Sequence, residues 1–79
     1  MSKNAEIADI FDRIADILDL LEDNPFRIRA YRNAARNIRE LNEDIEDVAA
    51  RGELTKIPGI GTDLAQKIRE FLTTGTIRD

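Results

Sequence analysis

The residues best placed to do chemistry lie in the stretch LTKIPGIGTDLAQKI, residues 54–68. Pro58 discourages helical angles at Ile57, and Gly59 and Gly61 permit positive φ or an unobstructed backbone on either side of Ile60. Ile60 can then drop inward as an apolar anchor. Main-chain N–H groups around Gly59, Gly61 and Thr62 are left pointing outward, at the start of a helix, with no side chain in front of them. Such a concave set of donors, aided by the helix dipole, suits an anionic phosphate oxygen. A contact of this kind holds backbone and reads no bases.

A second set of candidates is cationic. In NPFRIRAYRNAARNIREL, residues 24–41, Arg29, Arg32, Arg36 and Arg39 recur at i, i+3, i+7 and i+10. A helix would place these four guanidiniums within about 80° of one another. Like charges so close cost a few tenths of a kcal/mol per pair unless something answers them. Two answers stay open: ion pairs with the acidic first helix or with Glu43, Asp44, Glu46 and Asp47, or a strip that faces phosphate. No cysteine and no histidine is present, so neither a nucleophilic triad nor a thiolate zinc site can be built. Carboxylate clusters without histidine give a divalent metal no specific support.

The elements that must position these groups are helical. Apolar residues at Ile7, Ile10, Phe11, Ile14, Ile17, Leu18 and Leu21 follow the amphipathic period, with Asp9, Asp12, Asp16 and Asp19 opposite. The spacing predicts a helix over about 4–22. Asn24 as N-cap and Pro25 at the first position start a second, about 25–41, with Ile28, Tyr31, Ala34, Ala35, Ile38 and Leu41 inward. Asn42 is expected to cap a third, about 43–51, which Gly52 ends in a left-handed conformation. A short turn of helix, about 53–57, precedes the hairpin. Thr62 is expected to cap the last helix, about 62–73, which buries Leu64, Ala65, Ile68, Phe71 and Leu72 and closes at Gly75. The expected fold is all-α, a compact bundle of four to five short helices in one domain, residues 1–79.

Bulk composition narrows the function. Seventy-nine residues leave little interior for an enclosed substrate cavity, so a ligand is expected on the surface. No apolar run approaches the about 20 residues of a membrane span, and MSKNAEIADIFDR is too charged for a signal peptide. The absence of cysteine fits a reducing compartment, and a cytoplasmic monomer is expected. Net charge is −4, which by itself argues against nucleic acid. The average conceals an asymmetry: residues 25–41 hold five arginines against one carboxylate, while residues 1–24 hold seven carboxylates against two cations.

Leu54 to Ile68 closely resembles the helix-hairpin-helix motif of DNA repair proteins. With NPFRIRAYRNAARNI, residues 24–38, and IREFLTTGTI, residues 68–77, the chain resembles the amino-terminal domain of family X DNA polymerases, the group that contains DNA polymerase beta. The resemblance spans nearly the whole sequence and is nearest to bacterial and archaeal members. It implies sequence-independent binding to gapped or nicked DNA with a 5′ phosphate, nucleoid association, and a polymerase domain elsewhere in the parent protein. The phosphate pocket would draw on Arg27, Tyr31 and the hairpin, with Arg32 on the adjacent backbone. Arg29, Arg36 and Lys56 would add cations, and a core aromatic is the alternative role for Tyr31.

The resemblance also implies a K⁺ or Na⁺ ion held by the backbone carbonyls of Thr55, Ile57 and Ile60, with no other cofactor required. In animal members a lysine of the last helix forms a Schiff base with an abasic sugar, and the matching residue is Lys67. A neutral amine is needed for that attack. Asp63 and Glu70 stand about one turn on either side of Lys67, and Phe26, Thr55 and Asp63 occupy positions that are basic in lyase-competent relatives. A salt bridge or a phosphate contact is the alternative role for Lys67. For the chain as a whole, the alternative is a helical protein-interaction module that uses the arginine strip, with the hairpin only a connector.

Overall fold

A computed structural model describes residues 3–75. The order is α1 (Asn4–Leu20), α2 (Pro25–Arg39), α3 (Ile45–Ala50), a 3₁₀ turn (Leu54–Lys56) and α4 (Thr62–Thr74), with no strand among the described residues. The all-α expectation holds. Residues 76 and 77, the end of the stretch that carries the resemblance, lie outside the described residues. Among those described, no helix is long and apolar enough to cross a membrane.

α1 and α2 form an antiparallel pair, and small residues let them approach. Ala8 and Ala15 on α1, and Ala34 and Ala35 on α2, are all fully buried. Phe11 meets Tyr31 edge to face, with ring centroids 5.5 Å apart, a geometry that the ring quadrupoles favour. Ile7, Ile38, Ile45, Leu54 and Ile68 complete a core to which every helix and the 3₁₀ turn contribute. One polar group belongs to it. Asn4 donates from Nδ2 to the Glu43 carbonyl at 2.7 Å and accepts at Oδ1 from the Ile45 amide at 2.8 Å, which ties the start of α1 to the start of α3.

Several boundaries and caps differ from the sequence reading, each for a local reason. α1 stops at Leu20 because Glu22 turns left-handed, φ 54°. Asp23 N–H then bonds to Leu18 O at 2.9 Å and Glu22 N–H to Asp19 O at 3.0 Å, the pair of bonds of a Schellman ending. The stripe frays with it: Leu18 is buried, but Ile17 is about half exposed and Leu21 is 71% exposed. α2 ends at Arg39 and not at Leu41. The cap of α3 is Asp44, not Asn42, because the Asp44 carboxylate accepts from Glu46 N–H at 3.0 Å. Thr62 is the first residue of α4, whose N-cap is Gly61. Asn24 caps α2 as its sequence requires, accepting from Phe26 N–H at 2.9 Å.

Candidate nucleic-acid interface

The hairpin is held on a bed of apolar anchors. Leu54, Ile57 and Ile60 are buried, and Ile57 is extended before Pro58, as the proline ring requires. Ile60 N–H closes the turn on Ile57 O at 3.0 Å. A side-chain contact from α2 completes the docking: Asn37 donates from Nδ2 to the Pro58 carbonyl at 2.6 Å. The sequence reading did not find Asn37. The available signal was a carboxamide at the edge of the inner face of α2, one residue before Ile38.

The two hairpin glycines prove to have different reasons. Gly59 has φ +83°, which favours glycine, and a Cβ there would lie 3.3 Å from Asn37 Nδ2, close enough that the carboxamide would have to shift by a few tenths of an ångström. Gly61 has φ −89° and ψ −171°, which any residue can adopt, and a Cβ there would meet nothing within 4 Å. The positive φ expected as an option at both positions occurs only at Gly59. Within the chain itself, nothing demands that Gly61 lack a side chain.

Gly61 opens onto the N-terminus of α4. The first amides of any helix have no intrahelical acceptor, and those of α4 receive no side-chain cap, whereas α2 and α3 are capped by Asn24 and Asp44. Asp63 lies in this first turn and is exposed, so the dipole and one carboxylate act there with opposite sign on an approaching anion.

Beside the hairpin, between α2 and α4, runs a cleft of about 410 Å³. Arg27, Tyr31 and Lys67 line it together, and so do Asp63, Gln66 and Glu70. Tyr31 is buried against Phe11 and forms part of the wall. Lys67 is half-buried. Arg27 lies 3.6 Å from Asp23, with half its side chain exposed.

The arginine strip divides. Arg32 bonds to Asp16 at 3.1 Å and lies 4.0 Å from Asp19. Arg39 engages Asp12 at 2.6 Å as well as Asp9. The hydrogen bonds to Asp12 and then Asp9 raise the Arg39 pKa further above its ordinary value. Arg29 and Arg36 have no carboxylate within ion-pair range among the described residues, and with Arg32, Asn33, Pro25 and Ile28 they line a groove of about 510 Å³ on the outer face of α2. Lys56 is held by Glu53 at 3.1 Å, and Arg51 by Glu43 at 2.9 Å and Glu53 at 2.8 Å. The hydrogen bond from Arg51, then that from Lys56, lowers the Glu53 pKa. Among the described residues, no group of three or more His, Cys, Asp or Glu could hold a metal ion.

Two helices, α4 and the 3₁₀ turn before it, joined by a glycine turn whose backbone faces outward at a helix N-terminus, define a helix-hairpin-helix unit. Comparison with known families agrees: residues 2–77 match the helix-hairpin-helix domain. The chain belongs to that family, whose domains typically bind DNA, and nucleic acid is its general class of partner.

Proposed function

We propose that the chain holds the sugar-phosphate backbone of gapped or nicked DNA without sequence preference, as the amino-terminal domain of a repair polymerase of the family X, polymerase beta-like type. The observation that carries this reading is Gly61. Its angles suit any residue and its surroundings would admit a methyl group, so the bare backbone serves something outside the chain. A phosphate oxygen at the uncapped start of α4 needs that approach. The adjoining cleft offers Arg27, the Tyr31 wall and Lys67 to a 5′-terminal phosphate. Lys56 adds a cation that must share itself with Glu53.

Lys67 acts in this reading as a phosphate contact and not as a nucleophile, because Asp63 and Glu70 line the same cleft and both attract an ammonium. The carbonyls of Thr55, Ile57 and Ile60 would hold a K⁺ or Na⁺ ion, whose charge would bridge to phosphate. A set of neutral main-chain oxygens, in a chain whose described residues offer no carboxylate cluster, suits a monovalent cation better than a divalent one. Ile57 O already accepts from Ile60 N–H and would give the ion its second lone pair.

The test is the affinity for a gapped duplex with and without a 5′ phosphate. Tighter binding of the phosphorylated form is expected. Equal affinities remove end recognition, and backbone binding in general then stands alone.

A further inference from the structure

The groove on the outer face of α2 is separate from the hairpin and its cleft, and its cations are differently disposed. Arg27, Arg32, Arg39, Arg51 and Lys56 each have a carboxylate partner. Arg29 and Arg36 have none among the described residues, although they share one groove. Among the described residues, the other two arginines without one stand elsewhere: Arg13 lies on acidic α1, and Arg69 shares a small hollow with Glu46. The one carboxylate that lines the α2 groove, Asp19, lies 4.0 Å from Arg32, a guanidinium that is also bonded to Asp16 at 3.1 Å. What remains is a net positive site in which Arg29 and Arg36, two turns apart with Asn33 between them, have no carboxylate in ion-pair range among the described residues.

Its direction matters as much as its charge. At about 100° per residue, the side chains that line this groove and those of α2 that line the cleft, Arg27, Ala30 and Tyr31, centre on nearly opposite sides of α2. The helix with its side chains is about 10–12 Å thick. A straight run of backbone touches one side of such a cylinder and not both. Intact duplex has a persistence length of about 150 base pairs and does not wrap a domain 35 Å long without deformation.

Resting on the function proposed above, we infer that Arg29 and Arg36 hold a second, separate stretch of sugar-phosphate backbone, so that the domain grips both segments flanking a break on opposite sides of α2. Phosphate is the occupant because the groove presents two unanswered guanidiniums and a carboxamide, which are donors. The break supplies the bend. Preference for gapped DNA then comes from geometry as well as from the terminal phosphate.

The experiment compares the salt dependence of binding to a gapped duplex and to the same duplex sealed, for the unsubstituted chain, for R29Q/R36Q and for R29K/R36K. Hairpin amide resonances are followed with a short 5′-phosphorylated oligonucleotide. Losing two phosphate contacts makes the slope of log K against log salt shallower by about 1.8. That change is expected for R29Q/R36Q on the gapped duplex, with no change on the sealed one. R29K/R36K, which keeps the charge, retains the original slope. An equal loss on both duplexes means one continuous track and overturns the inference. No loss on either, with the hairpin amides still responding, also overturns it, hands the groove to an acidic protein partner and spares the proposed function. Hairpin amides that do not respond in the unsubstituted chain overturn both.

Discussion

Exchanging each hairpin glycine for alanine separates folding from binding, because the two positions tolerate a methyl group so differently. At Gly59, φ +83° holds alanine in left-handed space, which costs about 1–2 kcal/mol. The new Cβ would also press on Asn37 Nδ2 at 3.3 Å and endanger the 2.6 Å bond to Pro58 O, worth about 0.5–1.5 kcal/mol net. The stiffer unfolded chain returns about 0.4–1 kcal/mol. Gly59→Ala is therefore expected to destabilise by about 2 kcal/mol, a fall in Tm of about 8–16 °C. At Gly61 no strain and no neighbour oppose the methyl group, but Gly61 is the N-cap of α4, where alanine is poorer than glycine, so the unfolded-state gain of about 0.4–1 kcal/mol is offset and Gly61→Ala is expected to leave stability nearly unchanged. Its DNA affinity should nonetheless fall at least tenfold, since blocking one charge-assisted amide contact costs about 1.5–3 kcal/mol. Thermal unfolding by circular dichroism and fluorescence anisotropy on gapped duplex measure the two effects. Gly61→Ala that binds as tightly as the unsubstituted chain refutes the argument that this backbone is bare for a ligand.

Glu22 holds the left-handed position that ends α1, where Gly52 holds the matching position after α3; Glu22→Gly is expected to raise stability by about 0.5–1 kcal/mol, read as a higher Tm. The lowered Glu53 pKa means that the unfolded state binds more protons, so this contribution is full above the ordinary glutamate range and is lost as pH falls through the depressed folded value. Arg51→Gln removes its largest cause, and the stability curves of the two proteins should approach one another toward acid pH in urea titrations. Lys67→Ala is expected to weaken binding to 5′-phosphorylated gapped DNA several-fold, while borohydride reduction on an abasic substrate traps no adduct with the unsubstituted chain. A trapped adduct that Lys67→Ala abolishes would make Lys67 a nucleophile.

What was legible in the sequence was whatever depends on neighbours along the chain. Period and punctuation gave the helices, because Asn24-Pro25 and Gly75 act within a turn of where they stand. The buried face of α2 was readable for the same reason, Tyr31, Ala34, Ala35 and Ile38 all being buried. Exposure at the end of α1 was not. Ile17 and Leu21 satisfy the apolar period, but α1 breaks at Glu22 and nothing among the described residues covers them to the extent that Leu18 is covered. The caps at Asp44 and Gly61 escaped because two plausible capping residues stood within reach of each start, and only the path of the chain selects one. Asn4 and Asn37 were invisible for a deeper reason. Their partners, the main chain at Glu43, Ile45 and Pro58, lie 39, 41 and 21 residues away, and no local pattern marks a polar side chain that bonds to distant backbone.

Of the two answers that the sequence left to the repulsion along the arginine strip, ion pairs with the first helix account for half of the strip. Alternate members are neutralised: Arg32 and Arg39 face Asp9, Asp12, Asp16 and Asp19 across the α1–α2 interface. Arg29 and Arg36 are left seven residues apart, about 10.5 Å along the axis. That exceeds the Debye length of about 8 Å at physiological salt, so mutual repulsion between these exposed charges is largely screened. The acidic helix thus makes a row of four arginines affordable in the free protein and removes half of it from the reach of DNA. A chain of net charge −4 with so few unclaimed cations has to obtain its affinity from main-chain donors and from geometry, which is why the hairpin, and not the arginine count, is where binding should prove most sensitive to a single methyl group.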